Sequence, residues 1–180
     1  MIKFLKLKMK NRSLVLVGLM GVGKSTIGRY LADVLDLRFC DSDHEIEVMT
    51  QLSIKDFFAV YGEQVFRNLE EEVICRLLKE GPIVLATGGG AFMNAKIREI
   101  ISKYGLSIWL QAESCILIER LLHEKSRPLL EGNKPDLFRR LISERYPIYA
   151  RADITVQNHN VLCDLVVFKI LEQIKSYLIA

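Results

Sequence analysis

The string "GLMGVGKST", Gly18 to Thr26, limits what this chain can fold into more than any other. It fits G-x-x-x-x-G-K-[ST] at Gly18, Gly23, Lys24 and Ser25. A short apolar run, "LVLV" at 14–17, stands just before it, and an amphipathic helical pattern follows. Glycines between a buried strand and a helix let the backbone curl. Successive N–H groups then point at phosphate oxygens, at the positive end of the following helix. Lys24 supplies a mobile positive charge for β- and γ-phosphates, and Ser25 offers a hydroxyl to magnesium. A chain with this loop in this setting binds a nucleoside triphosphate.

Other apolar runs recur along the chain: "LRFC" at 37–40, "IVLA" at 83–86, "LSIWL" at 106–110 and "ITV" at 154–156. Several are continuously apolar, as in strands covered on both faces. Helical patterns separate them. After Lys24 the residues Ile27, Tyr30, Leu31, Val34 and Leu35 follow the spacing of one buried face. A stretch from about 63 to 79 places Phe66, Leu69, Val73 and Leu77 on one stripe. Further helices are expected over 94–103, 113–123, 136–149 and 162–178, the last buried through Leu162, Leu165, Val166, Ile170, Ile174 and Leu178. Strands alternating with helices give an α/β fold, a parallel sheet with helices on both faces. At 180 residues the chain fits one domain, expected over 13–180. The segment 124–135, "EKSRPLLEGNKP", reads as an exposed, mobile loop, and the basic segment 1–12 as a frayed, flexible extension.

Composition excludes several classes. A net charge of +3, from 25 basic and 22 acidic residues, gives no case for nucleic acid or membrane partners. No apolar run approaches the roughly 18 residues of a membrane span. Cys40, Cys75, Cys115 and Cys163 lie far apart without a Cys-x-x-Cys pair. That argues against zinc or a disulfide framework and for a reduced, cytoplasmic protein. His44, His123 and His159 are equally scattered and read as surface or core residues.

A phosphate loop alone does not separate kinases from guanine-nucleotide switches. "NKPD" at 133–136 matches the N-K-x-D that reads guanine. It follows "RPLLEG" and leads into "LFRRLI", so it belongs to a loop and a helix start, with Asp136 as an N-terminal acid. The strand "IVLA" lacks the terminal aspartate that often supports magnesium and runs instead into Thr87 and three glycines, Gly88 to Gly90. The acids stand elsewhere. "LRFCDSDHEIE" ends its strand with Asp41 and Asp43, two residues apart. In extended geometry both side chains point the same way, whereas a turn separates their roles. Asp41 suits magnesium, directly or through water, and Asp43 suits accepting the proton of an attacking hydroxyl. Asp43 is equally placed to cap a helix over "HEIEVM".

Among the arginines, Arg127 lies in the loop where a lid would cover the phosphates. Arg67 stands beside Phe66 on a buried stripe, an enclosed cation in want of an anion. Together "GLMGVGKST", "DSD", "GEQVFRNLE", "TGGGAF", "RPLL" and "RYPIYARAD" resemble the shikimate kinases in order and rough spacing, from about residue 13 to 157.

The resemblance implies a three-layer α/β/α P-loop fold of the nucleoside-monophosphate-kinase type. Its parallel sheet has five strands in the order 2-3-1-4-5, and a mobile lid is expected at about 124–135. It implies transfer of the γ-phosphoryl of ATP to the 3-hydroxyl of shikimate, on the route to aromatic amino acids, with Mg2+ as cofactor. Gly21, Val22, Gly23, Lys24, Ser25 and Thr26 would wrap the ATP phosphates, with Arg120 against adenine and Arg127 on the phosphates. Ser25 and Asp41 would serve the metal. Asp43, Arg67, Gly88, Gly89, Gly90 and Arg145 would hold shikimate, the two arginines on its carboxylate and Asp43 also as base. Lys24, Asp43 and Arg127 would form the catalytic group. The protein is expected to act as a monomer. A gluconate-type kinase shares the fold, but "GEQVFR", "GGG" and "RYPIY" point away from it.

Overall fold

A computed structural model of the protein describes residues 1–113, 134–158 and 162–179. Five strands form one parallel sheet: β1 (Ser13–Val17), β2 (Arg38–Asp41), β3 (Ile83–Ala86), β4 (Gly105–Gln111) and β5 (Ile154–Gln157). Their order is β2-β3-β1-β4-β5, as expected. The described helices are α1 (Ile2–Met9), α2 (Lys24–Leu35), α3 (Ser42–Thr50), α4 (Ile54–Lys79), α5 (Ala95–Tyr104), α6 (Lys134–Tyr149) and α7 (Cys163–Ile179). Every residue of β1 and β3 is buried, as required of central strands with helices on both faces. Helices α1, α2 and α7 pack with one another, and α4 packs with α5 and α3.

Helix α2 buries Ile27, Gly28, Leu31, Ala32 and Leu35, whereas Tyr30 and Val34 face solvent. The buried stripe is thus turned slightly from the one expected. Gly28 is the cause: a Cβ there would come 2.6 Å from the Phe39 ring, so the helix sits close on its small residues. Leu162 and Leu165 are likewise exposed, and α7 buries Val166, Val167, Ile170, Leu171 and Ile174 instead.

The N-terminal segment departs from the frayed extension read in the sequence. Residues 2–9 form a helix with Leu5 and Met9, one turn apart, buried in the core. An isolated eight-residue helix is marginal in water, so packing holds this one. Arg12 then fastens the chain to β4, its Nε donating to the Gly105 carbonyl at 3.0 Å. Helix α4 also begins earlier than expected and bends at Gly62, whose φ of 78° and ψ of 171° break the helical path. The expected helix at 113–123 and the lid at 124–135 fall almost wholly outside the described residues, with Arg120 and Arg127.

Candidate active site

Three neighbouring strands deliver their carboxyl-end loops to one place: β1 the loop 18–23, β2 the residues 41–43, and β3 the residues 87–90. The edge of a parallel sheet where connections diverge is the usual ligand crevice of open α/β folds.

The phosphate loop curls as its glycines allow, with positive φ at Gly18, Gly21 and Gly23. At Gly18 no other residue fits, because a Cβ would lie 2.7 Å from the Leu110 carbonyl oxygen of β4. Lys24 is almost fully buried, and its ammonium donates to the Gly18 and Leu19 carbonyls, both at 2.8 Å. Val22 turns its side chain into the core and offers the loop only its backbone. Thr26 is exposed beside Ser25 at the start of α2. Buried Asn158, just past β5, donates from Nδ2 to the Val22 carbonyl at 2.9 Å and so pins the loop. Sequence reasoning passed over Asn158, since a lone asparagine after a strand has no motif to mark it.

Asp41 stands in register with Ala86 across β2 and β3. The acid missing from the end of β3 is therefore supplied one strand over, at the same height. Its two oxygens are divided. Oδ1 accepts the N–H groups of Asp43 and His44 and caps α3, while Oδ2 accepts the Ser25 hydroxyl at 2.6 Å. The helix cap is thus Asp41, not Asp43, and the strand-to-helix turn gives the two aspartates different surroundings. A hydroxyl and a carboxylate already in contact form a hard-oxygen pair that suits a small divalent cation brought in with phosphates. Among the described residues no group of three or more His, Cys, Asp or Glu could hold a metal by itself.

Asp43, in the first turn of α3, lines a cavity of about 470 Å3. Arg67, Glu70, Gly88, Gly89, Gly90 and Arg145 share it, with Phe58, Phe66, Ile54 and Met20 as apolar walls. The cavity opens against the phosphate loop: a Cβ on Gly89 would lie 3.4 Å from the Met20 amide and 3.7 Å from the Gly18 carbonyl. All the expected site residues among the described ones therefore gather in two adjoining zones.

Arg67 projects from α4 over the Phe66 ring, 5.2 Å from its centroid. It pairs with Glu70 at 2.8 Å and Glu63 at 3.2 Å. Burial acts first to lower the Arg67 pKa, but Glu70 and then Glu63 outweigh it and raise it. Glu70 itself was not singled out in the sequence, although its spacing of three from Arg67 puts it on the same helix face. It is fully buried, and its Oε1 accepts no hydrogen bond from any described residue. Burial pushes its carboxyl above the usual range, Arg67 opposes this, and Asp43 adds to it. Asp43 Oδ1 and Glu70 Oε1 converge over the α-carbon of Gly88, where a Cβ would meet them at 2.6 and 2.7 Å.

Arg145 reaches in from α6, its Nη1 donating to the Gly89 carbonyl at 3.1 Å. The site so presents a phosphate cradle, a hydroxyl–carboxylate pair, and a pocket lined by two acids and two arginines. The string at 133–136 takes no part: Lys134 to Asp136 open α6, with Asp136 bonded to Arg139, and Asn133 lies outside the described residues.

A family model described as shikimate kinase matches residues 20–175. The shikimate kinase of Mesorhizobium japonicum is 51% identical over 150 residues, 83% of this chain and 74% of that protein. That of Bartonella quintana is 46% identical over 168 residues, 93% of this chain and 80% of that protein. Among solved structures, the shikimate kinase from Acinetobacter baumannii in complex with shikimate aligns with a TM-score of 0.89 at 37% identity. That alignment covers 96% of this chain and 97% of the other. Likeness in sequence and in fold to these shikimate kinases runs over nearly the whole length of this chain, and the chain belongs to the shikimate kinase family.

Proposed function

We propose that this chain transfers the γ-phosphoryl of ATP to the 3-hydroxyl of shikimate, giving shikimate 3-phosphate and ADP. The observation that carries the reading is the acceptor pocket itself. Carboxylates at Asp43 and Glu70 share it with arginines at 67 and 145, beside the phosphate loop. A small acid bearing several hydroxyls matches that polarity, carboxylate to the arginines and hydroxyls to the acids.

The chemistry follows from placement. Gly21 to Thr26 receive the phosphates on backbone N–H groups, and Lys24 leaves its loop carbonyls to meet the transferring group. Ser25 and Asp41 would hold Mg2+, which would supply charge neutralisation for the phosphates. Asp43 accepts the proton of the 3-hydroxyl as its oxygen forms the new bond to the γ-phosphorus. The bond from that phosphorus to the β–γ bridging oxygen breaks in line, and ADP leaves. Arg67 and Arg145 orient the acceptor through its carboxylate, and orientation of this kind supplies much of the rate when little covalent work falls to the protein. Glu70 holds Arg67 through one oxygen and offers the other, unpartnered and buried, to a second hydroxyl or its bound water. Arg127 would cover the phosphates and Arg120 the adenine. We place the reaction in the cytoplasm, carried out by a monomer. Among the described residues no helix is long and apolar enough to cross a membrane.

A coupled assay of ADP release with shikimate, gluconate or no acceptor tests the reading. Release that depends on shikimate and Mg2+ is expected. Equal release without acceptor, or preference for gluconate, refutes it.

A further inference from the structure

The motif "RYPIYARAD" contributes Arg145 to the site, yet its second tyrosine is the largest fully buried side chain among the described residues. Tyr149 stands one turn after Arg145 on α6, and both side chains donate to the same acceptor, the Gly89 carbonyl. We propose that Tyr149 is a positioning residue of the acceptor site. Its hydroxyl, with Arg145, holds the Gly89–Gly90 peptide in the one orientation that turns the Gly90 N–H away from α6 as a donor to the bound acceptor. This deepens the shikimate kinase reading and rests on it.

The physical case begins with the glycines. Three in a row carry almost no torsional preference, so the central peptide can flip at little cost unless something holds it. A carbonyl oxygen accepts two hydrogen bonds, and Arg145 and Tyr149 fill both. Because the peptide is planar and trans, the Gly90 N–H is antiparallel to the Gly89 carbonyl. Neither the Gly89 nor the Gly90 N–H has an acceptor among the described residues, whereas Gly88 N–H is held by Ser42 and Ala91 N–H by Gly88. Two donors are thus left over the cavity that both glycines line.

Tyr149 is itself fixed. Its ring packs against Phe92 at 6.4 Å, 25° from parallel, and against Trp109 at 5.9 Å, tilted by 30°. Burial pushes its phenol pKa up to about 12, so it stays a donor across the working range of pH. Arg145 alone would serve poorly, since an acceptor carboxylate competes for the same guanidinium. The tyrosine keeps hold of Gly89 while Arg145 turns to its ligand.

Tyr146, on the same helix, provides the control. Its hydroxyl donates to the Ala112 carbonyl at 2.7 Å, a contact with the end of β4 and not with the glycines. Tyr149→Phe and Tyr146→Phe each remove one partly or fully buried hydroxyl and keep the ring. In Tyr149→Phe the KM for shikimate is expected to rise about five- to twentyfold, the range of a lost hydrogen bond of 1–1.8 kcal/mol, with KM for ATP within about twofold of wild type. Tyr146→Phe is expected to leave both KM values within about twofold. Unchanged shikimate KM in Tyr149→Phe overturns the proposal, as does an equal rise for both substrates or an equal effect of Tyr146→Phe. The wild-type protein gives a second readout: shikimate titration should move the Gly90 amide proton resonance, and a stationary resonance overturns the proposal even if neither variant folds. Wild-type enzyme without shikimate-dependent ADP release would refute the reaction and this role together. Normal wild-type turnover with an indifferent Tyr149→Phe refutes the role alone.

Discussion

Replacing Gly88 by alanine tests the acceptor site with a single methyl group. None of Gly88, Gly89 and Gly90 has a positive φ, so the backbone tolerates alanine at each and any effect is one of space. At Gly88 the new Cβ would stand 2.6 Å from Asp43 Oδ1 and 2.7 Å from Glu70 Oε1. Real Cβ atoms do not come within 3.0 Å of such neighbours, so both carboxylates must retreat by about half an ångström or more. Glu70 is tied to Arg67 and fully buried, which leaves Asp43 to take most of the shift. Displacing a base by half an ångström to an ångström costs roughly ten- to a hundredfold in kcat, or about 1.4–2.7 kcal/mol. Gly90→Ala strikes a different group. Its Cβ would meet the Arg67 guanidinium at 2.6–2.8 Å, and the expected loss appears as a roughly tenfold higher KM for shikimate. At Gly89 the nearest atom is 3.4 Å away, so Gly89→Ala should melt within a degree or two of wild type. Steady-state kinetics in both substrates, with melting curves for all three variants, decide the matter. Normal kcat in a folded Gly88→Ala would refute the placement of Asp43, and identical kinetic defects at 88 and 90 would refute the division of the triplet.

Arg145→Ala should lower kcat/KM for shikimate roughly ten- to a hundredfold, the worth of a charge-assisted hydrogen bond, with KM for ATP little changed; unaltered shikimate kinetics would exclude it as a clamp. Glu70 gives a pH signature. Its folded pKa lies above the ordinary 4.5, so its contribution to stability is complete below that value and is lost as pH rises through the raised folded pKa. Glu70→Gln cannot ionise, and its melting temperature relative to wild type should climb as pH rises above the ordinary 4.5; parallel curves would count against a raised carboxyl pKa. Asn158→Ala frees the Val22 carbonyl and should raise KM for ATP about three- to tenfold while sparing shikimate. Equal effects on both substrates would mean that the phosphate loop is not what Asn158 holds.

The site was legible where residue type and spacing carry the chemistry by themselves. Lys24 and Ser25 follow from the glycines before them, and Asp41 and Asp43 from a strand that ends in acids. Glu70 was not, because a glutamate three residues from an arginine on a long helix is more often a solvated ion pair than a buried one. The same limit hid α1. A lysine-rich octamer reads as loose until a groove between α2 and α7 exists to take Leu5 and Met9.

By itself the sequence determined the strands, the parallel sheet and the nucleotide loop, since each rests on an apolar run, on alternation or on glycines within one short segment. Only the tertiary structure decided which groups share an environment. Asp41 meets Ser25 across 16 positions, Asn158 meets Val22 across 136, and Tyr149 meets Gly89 across 60. Such pairings are set by strand register and helix packing, where burial and hydrogen-bond satisfaction act between segments distant along the chain. No local pattern records them.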